Sequence, residues 1–125
     1  MVFKSEKEFQ TAYLKGLTKK WAFVRNIPDI WNTKKPFDAF WCMKWKGLAL
    51  EFKIDKASSE STEERILKKL YPHQVANLLE FQKAGWVSMV ISYHMVTDTI
   101  FNYSINLKWE LSLSKKQARQ EWLKE

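Results

Sequence analysis

The first half of the chain shows a helical repeat of apolar residues followed by three segments with strand-like patterns. Ser5 and Glu8 form a capping box ahead of apolar residues at helical spacing, which predicts a first helix over residues 6–18. Strand patterns follow over residues 21–27, 37–42 and 48–54. The segment between the last two strands is short enough for a hairpin turn.

The second half of the chain continues with further helices and strands. The polar residues 55–64 predict a mobile loop, and a short helix follows over residues 64–70. Pro72 suits the first turn of another helix and Gly85 suits its end. Strands are predicted over residues 86–93 and 99–105, and a final helix is predicted with caps at Ser114 and Gln117. This order predicts an α/β fold with a mixed sheet flanked by helices.

Composition and charge are those of a basic globular protein. The 125 residues are 46% hydrophobic, which predicts one domain with its own core over residues 1–125. With 21 Lys and Arg against 14 Asp and Glu, the formal net charge is +7. This charge favours a polyanionic partner, nucleic acid first and an anionic membrane surface second. Because a high charge also serves solubility alone, that interpretation stays open as well.

Cysteine content and hydropathy exclude several classes of protein. The single cysteine, Cys42, cannot form an intramolecular disulfide or supply a zinc cluster. The first residues show no apolar signal-peptide segment, and no apolar run approaches the roughly 20 residues that a membrane helix needs. We therefore expect a cytoplasmic protein that does not enter the membrane.

The strand predicted over residues 48–54 carries the most informative pattern. Its even-numbered residues are apolar, whereas Glu51 and Lys53 fall on the other face, because strand side chains alternate. The sequence thus predicts one core face and one charged face. If the hairpin turn is centred just after Lys44, Asp38 lies directly opposite Glu51.

Two facing carboxylates need a positive charge between them. The candidates are Lys53 and a bound cation such as Mg²⁺, which binds carboxylate oxygens together with phosphate and water. Phosphodiester hydrolysis uses the same parts, a metal and a nearby cation. A Glu-x-Lys pair on the wet face of a strand is also common without any catalytic role, so a purely structural interpretation stays open.

The same residues resemble a known signature. Pro36-x-Asp38 followed by Glu51-Phe-Lys53 resembles the motif of the PD-(D/E)XK nucleases. More narrowly, the chain is similar to the RecU-type Holliday-junction resolvases, and less closely to the archaeal junction resolvases and the virus-type replication-repair nuclease domains. The likeness is carried by Trp21-Ala-Phe-Val-Arg25, Pro36-Phe-Asp38, Leu50-Glu-Phe-Lys53, Tyr71-Pro-His-Gln74 and Ala84-Gly-Trp86.

The resemblance implies a fold, an activity and a set of roles. The fold is a restriction-endonuclease-like core of order α-β-β-β-α-β, followed here by a C-terminal strand and helix. The activity is that of a Mg²⁺-dependent endodeoxyribonuclease, with Mn²⁺ as a substitute, which acts on branched or four-way DNA as a homodimer. Asp38 and Glu51 would bind the metal, and Lys53 would assist the hydrolytic step.

The related families also place a metal-binding Glu on the first helix and a polar residue near the site. Glu6 and Glu8 both fit the first position, and Glu6 is preferred because Glu8 belongs to the capping box. Both acids also complement the helix dipole, so that interpretation stays open. Gln74 matches the second position, although a Gln in the first turn of a surface helix fits equally well.

Basic residues surround the predicted site in sequence, where charges that neutralise DNA phosphates are expected. They are Arg25, Lys34, Lys35, Lys44, Lys46 and Lys56. The chain is short for a RecU-type resolvase and has no clear segment for probing a junction. Two alternatives therefore stay open: a PD-(D/E)XK nuclease with a nicking, flap or restriction-type substrate, and a catalytically silent DNA-binding module.

Overall fold

A computed structural model describes residues 3–20, 23–26, 39–43, 46–59, 62–106, 108 and 110–124. Its elements are α1 (Glu6–Lys20), β1 (Phe23–Asn26), β2 (Ala39–Met43), β3 (Lys46–Asp55), α2 (Glu63–Lys69), α3 (Pro72–Lys83), β4 (Val87–His94), β5 (Thr99–Ile105), β6 (Leu111–Ala118) and α4 (Arg119–Lys124). Within these ranges, none of the helices combines the length and the apolar content that crossing a bilayer requires.

The strands form one mixed sheet in the order β1-β2-β3-β4-β5-β6. Neighbouring strands are antiparallel except for β3 and β4, which are parallel and joined through α2 and α3. A parallel pair needs such a crossover, because its second strand must start at the same edge as the first. The chain is therefore α/β, with a mixed sheet and helices packed on it, as the sequence predicts.

The central strands of the sheet are buried on both faces. On the α1 face, Phe9 and Tyr13 of α1 pack against Phe52 with ring centroids 5.7 and 5.6 Å apart. On the opposite face, here called the α3 face, α2 and α3 bring Ile66 and Leu78 into a second core. Burial of each such side chain contributes about 1.5–3 kcal/mol to folding. Both faces of β3 therefore lie against helices.

The signals that predict the start of α1 and the end of α3 are confirmed. The Ser5 Oγ accepts a hydrogen bond from the backbone N–H of Glu8 at 3.1 Å, so Ser5 caps α1. Gly85 follows α3 with a φ of 97°, a conformation that favours glycine. The predicted order of elements is confirmed through β5, and the helix bounds differ by a few residues.

The prediction of a final helix capped by Ser114 and Gln117 is wrong. Both residues lie in β6, which pairs antiparallel with β5, and α4 begins only at Arg119. The Ser114 Oγ donates to the carbonyl oxygen of Asn102 at 3.0 Å, beside a shift in the register of the two strands. The capping signal is local, and the hydrogen bonds available along β5 outweigh it.

Gly47 gives a direct test of the packing over β3. A Cβ atom at this position would lie 2.5–2.7 Å from ring atoms of Trp86. Since atoms cannot approach so closely, Gly47→Ala forces the indole to move, and we expect a loss of about 1–3 kcal/mol in the free energy of unfolding. Urea denaturation measures this loss. An unchanged midpoint would show that Trp86 does not pack on the strand.

A polar cluster ties β4 and the start of α4 to the β4–β5 turn. The Nε of Arg119 donates to Asp98 Oδ1 at 2.8 Å, and the Tyr93 hydroxyl donates to the same oxygen. Burial alone would raise the pKa of Asp98, but the hydrogen bonds from Arg119 and Tyr93 hold it below the usual value. Burial and the bond to Asp98 raise the pKa of Tyr93 to about 12.

The raised pKa of Tyr93 predicts a pH dependence of stability. An unfolded Tyr ionises near pH 10, so the contribution of Tyr93 is complete below about pH 10 and is lost as the pH rises toward 12. Between about pH 9 and about pH 11, the difference in unfolding free energy between the natural chain and Tyr93→Phe should fall by about 1.4 kcal/mol. Urea denaturation at both pH values measures it. A constant difference would contradict the assignment.

Candidate active site

Three charged residues of β3 lie in a row on the α3 face: Glu51, Lys53 and Asp55. The sequence pattern predicts a charged face, but this face is not open to water. Glu51 is 1% exposed, Lys53 is 7% exposed and Asp55 is fully buried. The reason is the crossover, since α2 and α3 pack over this side of the sheet. Burying ionised groups is costly, so a row of three needs specific compensation.

Lys53 lies between an aromatic ring and a buried hydroxyl. Its Nζ is 5.3 Å from the centroid of the Tyr71 ring, which precedes α3. Ser92 is its neighbour on β4, and the Ser92 Oγ is buried without a hydrogen-bond partner among the described residues. A cation over a ring gains about 0.5–2 kcal/mol. The ammonium is thus held at the start of α3, and the strand neighbour of Lys53 carries a hydroxyl that can still accept or donate.

The register of the β2–β3 hairpin agrees with the predicted turn centre. Ala39 pairs with Leu50 and Met43 pairs with Lys46, which places the centre of the turn just after residue 44. The predicted pair of Asp38 with Glu51 would be the next along this register, but Asp38 lies outside the described residues. The predicted role of Asp38 therefore stays a prediction.

The two candidate carboxylates of α1 differ in their surroundings. Glu8 is used in the cap, since its Oε2 accepts from the backbone N–H of Lys4 at 3.4 Å. Glu6 is half-buried at the first residue of α1, a helix that packs on the face of the sheet opposite Glu51. Within the described part of the chain, no three His, Cys, Asp or Glu side chains are grouped closely enough to hold a metal ion.

Gln74 is oriented by the start of α3. Its Oε1 accepts from the backbone N–H of Tyr71 at 3.0 Å, and its own backbone N–H donates to the Tyr71 carbonyl oxygen at 2.9 Å. The amide oxygen of Gln74 therefore caps the helix. This contact fixes the backbone of Tyr71 beside Lys53.

The predicted DNA-binding residues are only partly described. Lys56 is exposed just after β3. Arg25 lies in β1 and Lys46 lies in β3. Lys34, Lys35 and Lys44 lie outside the described residues.

The donor chemistry of β3 fits a hard divalent cation. Glu51 presents a carboxylate on a face that excludes water, beside Lys53 two residues on. Mg²⁺ is commonly held by one or two carboxylates together with substrate phosphate and water, so Glu51 with the predicted Asp38 would satisfy its needs. Of these two carboxylates, only Glu51 lies among the described residues.

Contacts from Arg65 and His94 hold the described part of the loop after β3, where the sequence predicts a mobile loop. Arg65 of α2 donates to Asp55 Oδ2 at 2.8 and 3.2 Å, and to the carbonyl oxygen of Ser59 at 2.9 Å. The Nε2 of His94 lies 2.8 Å from the same carbonyl oxygen, which only accepts, so this nitrogen carries a proton. Burial would raise the pKa of Asp55, but Arg65 and the Ala57 N–H hold it below its usual value.

Sequence reasoning missed several residues that the fold brings to this face. Ser92 and His94 lie opposite Lys53 and Asp55 through the parallel pairing of β3 with β4. The segment Tyr71-Pro-His-Gln74 is visible in the sequence, but the pattern drew attention to Gln74 and not to the ring of Tyr71. Alternation along β4, with Ser92 and His94 on one face, is the signal that could have found the first two.

Comparison with known proteins assigns no family to the chain. No family model matches it, and no curated protein matches it. Function is therefore inferred from the fold and the side chains of the α3 face.

Proposed function

We propose that this chain is a metal-dependent DNA endonuclease of the PD-(D/E)XK kind, which hydrolyses phosphodiester bonds of branched DNA such as a Holliday junction. The observation that carries the proposal is the pair Glu51 and Lys53, buried side by side on β3 under the crossover helices. A buried carboxylate next to a buried ammonium, in a chain of net charge +7, suits a site for metal and phosphate.

The topology supports a restriction-endonuclease-like core. The order α1-β1-β2-β3, then helices, then β4 parallel to β3 is the α-β-β-β-α-β order that the sequence resemblance implies. The hairpin register supports the pairing of Asp38 with Glu51, because its described pairs share the predicted turn centre. Both observations favour a site in the C-terminal half of β3, at the end of the β2–β3 pairing farthest from the hairpin turn.

In the proposed site, Glu51 and Asp38 would hold Mg²⁺ or Mn²⁺, whereas Glu6 is not included, because α1 packs on the opposite face of the sheet. The metal, when bound, neutralises phosphate charge and lowers the pKa of a coordinated water. Glu51 holds its carboxylate where water is excluded, which strengthens its attraction for a cation.

Lys53 acts on the water and the phosphate. Its ammonium, placed by Tyr71, orients the attacking water and neutralises charge that develops on the phosphate oxygens. The attacking water gives up a proton to solvent as its oxygen bonds to phosphorus, the bond from phosphorus to the leaving oxygen breaks, and that oxygen takes up a proton from solvent. Ser92, beside Lys53, can hold the ammonium or the water in place through its hydroxyl.

The proposal also assigns basic residues to DNA binding and a two-fold symmetric dimer to the cutting of two strands. Lys56 is exposed next to β3, and Arg25, Lys34, Lys35, Lys44 and Lys46 are proposed to contact backbone phosphates. A homodimer is proposed because a resolvase must nick two strands related by two-fold symmetry.

The substrate is tested by cleavage of labelled four-way junction, flap and linear duplex in Mg²⁺ and in Mn²⁺. Paired nicks on the junction are expected, with slower cleavage of the linear duplex. Preferred cleavage of flap or duplex would assign another substrate to the same nuclease site. Tight binding of DNA with every form left intact would leave a catalytically silent DNA-binding module.

A further inference from the structure

Tyr71 is an exposed aromatic residue beside a buried charge. Tyr71 is 63% exposed. Among the exposed large hydrophobic residues that the structure describes, it has the highest exposure and is the only aromatic one. A single exposed apolar side chain needs no explanation. Tyr71 differs because its ring also lies 5.3 Å from the Nζ of Lys53 and stacks on His73.

Tyr71 and His73 form a stacked aromatic pair, whose outer ring face is the part of the pair on which a further ring can stack. Their ring planes are within 7° of parallel, with centroids 5.9 Å apart. Both residues sit at the start of α3, where Pro72 fixes one backbone dihedral and Gln74 binds the backbone N–H of Tyr71. The backbone that carries the rings is therefore ordered before any ligand binds, which lowers the entropy cost of binding.

The chemistry of this surface suits a nucleobase. Every base has a π-face that stacks on an aromatic ring without regard to sequence, and a neighbouring cation attracts the phosphate that follows the base. Bases inside a continuous duplex offer only their edges in the grooves, because their faces are covered by the next base pairs. The ligand of such a surface must therefore carry an unpaired or terminal nucleotide.

We propose that Tyr71 and His73 form a stacking site for one unpaired nucleobase of DNA, next to the phosphate held at Lys53. This inference rests on the proposed function, because it takes DNA as the ligand of Lys53. It narrows the substrate to DNA with an unpaired nucleotide beside the cleaved bond, such as a flap, a frayed end or a junction whose branch-point base pair has opened. Continuous duplex lacks that nucleotide and loses the stacking contact.

The test compares two labelled DNA hairpins of the same sequence, one blunt and one with a short unpaired extension that contains 2-aminopurine. Fluorescence anisotropy in EDTA gives the dissociation constants without cleavage, and quenching of 2-aminopurine reports stacking. Tyr71→Ala is expected to weaken binding of the extended hairpin about 5- to 150-fold and to remove the quenching. Binding of the blunt hairpin should weaken much less, because it lacks the unpaired base and is affected only through Lys53 and the terminal base pair.

Two further variants distinguish loss of the aromatic ring from loss of the Tyr71 hydroxyl and from loss of any exposed apolar side chain. Tyr71→Phe keeps the ring and should retain both affinity and quenching. Leu113→Ala removes another exposed apolar side chain and should change neither. Because Tyr71 is mostly exposed, thermal unfolding should show that all three variants keep the fold. An equal loss of affinity for both hairpins, or no loss for either, would overturn the inference.

The same experiment keeps the two proposals distinguishable. If no DNA is cut in Mg²⁺ or Mn²⁺ but Tyr71 still selects the unpaired extension, the nuclease proposal fails and the stacking site stands. If DNA is cut but the natural chain binds both hairpins equally, the nuclease proposal stands and the stacking site fails.

Discussion

Glu51→Gln is expected to lower the rate of Mg²⁺-dependent DNA cleavage by at least about 100- to 1,000-fold. Gln has nearly the shape of Glu but no negative charge, so it cannot attract a divalent cation to a buried site. Because Gln and Glu are so similar in shape, the change should have little effect on the packing around this residue, which is 1% exposed. Single-turnover cleavage of a labelled four-way junction measures the rate.

Lys53→Met should lower the rate of cleavage by a similar factor, because it removes the ammonium and keeps most of the length of the side chain. An exposed pair on α3 provides matched controls. Glu80→Gln and Lys83→Met make the same chemical changes in a pair whose side chains are 73% and 59% exposed, and they should leave the cleavage rate unchanged. A folded Glu51→Gln protein with the natural rate would contradict the assignment of Glu51.

Arg65→Ala is expected to lower the free energy of unfolding by about 3 kcal/mol, the largest effect on stability in this account. The Asp55 side chain is 1% exposed, and Arg65 supplies its ion pair at 2.8 Å. Without the guanidinium, a buried carboxylate keeps only the hydrogen bond from the Ala57 N–H at 3.1 Å. The loop carbonyl of Ser59 also loses a donor. Urea denaturation at neutral pH gives the change.

Two further variants distinguish the effect of the buried Asp55 charge from a general loss of packing. Lys68→Ala removes an exposed side chain from the same helix and should cost little. Asp55→Asn combined with Arg65→Ala should be more stable than Arg65→Ala alone, because the double variant buries no unpaired charge. If the loss of unfolding free energy in the double variant equals the sum of the losses in Arg65→Ala and Asp55→Asn, Arg65 does not act through the Asp55 charge.

Much of the fold follows from local patterns in the sequence. Alternation along β3 places Glu51 and Lys53 on one face, and the hairpin turn is centred just after Lys44, as the described pairs of β2 with β3 confirm. Ser5 and Gly85 mark helix ends by backbone chemistry that depends on a few neighbouring residues. Such features are predictable because their causes lie close together in the chain.

The features that sequence reasoning missed depend on residues far apart in the chain. Glu51 and Lys53 are buried because α2 and α3 pack over them, which alternation within β3 does not reveal. Ser114 carries a helix-cap signal, but β5 offers its segment a strand partner and the segment becomes β6. Ser92 reaches Lys53 only through the parallel pairing of β3 with β4. In each case tertiary pairing outweighs the local preference.

The proposed nuclease activity is tested by cleavage of a labelled four-way junction in Mg²⁺ and in EDTA, with the natural chain, Lys53→Ala and Asp38→Asn. Paired nicks are expected from the natural chain in Mg²⁺ and none in EDTA, and both variants should lose cleavage while DNA binding persists. Intact junction in every divalent metal, with the natural chain folded and bound to the DNA, would contradict the proposed activity.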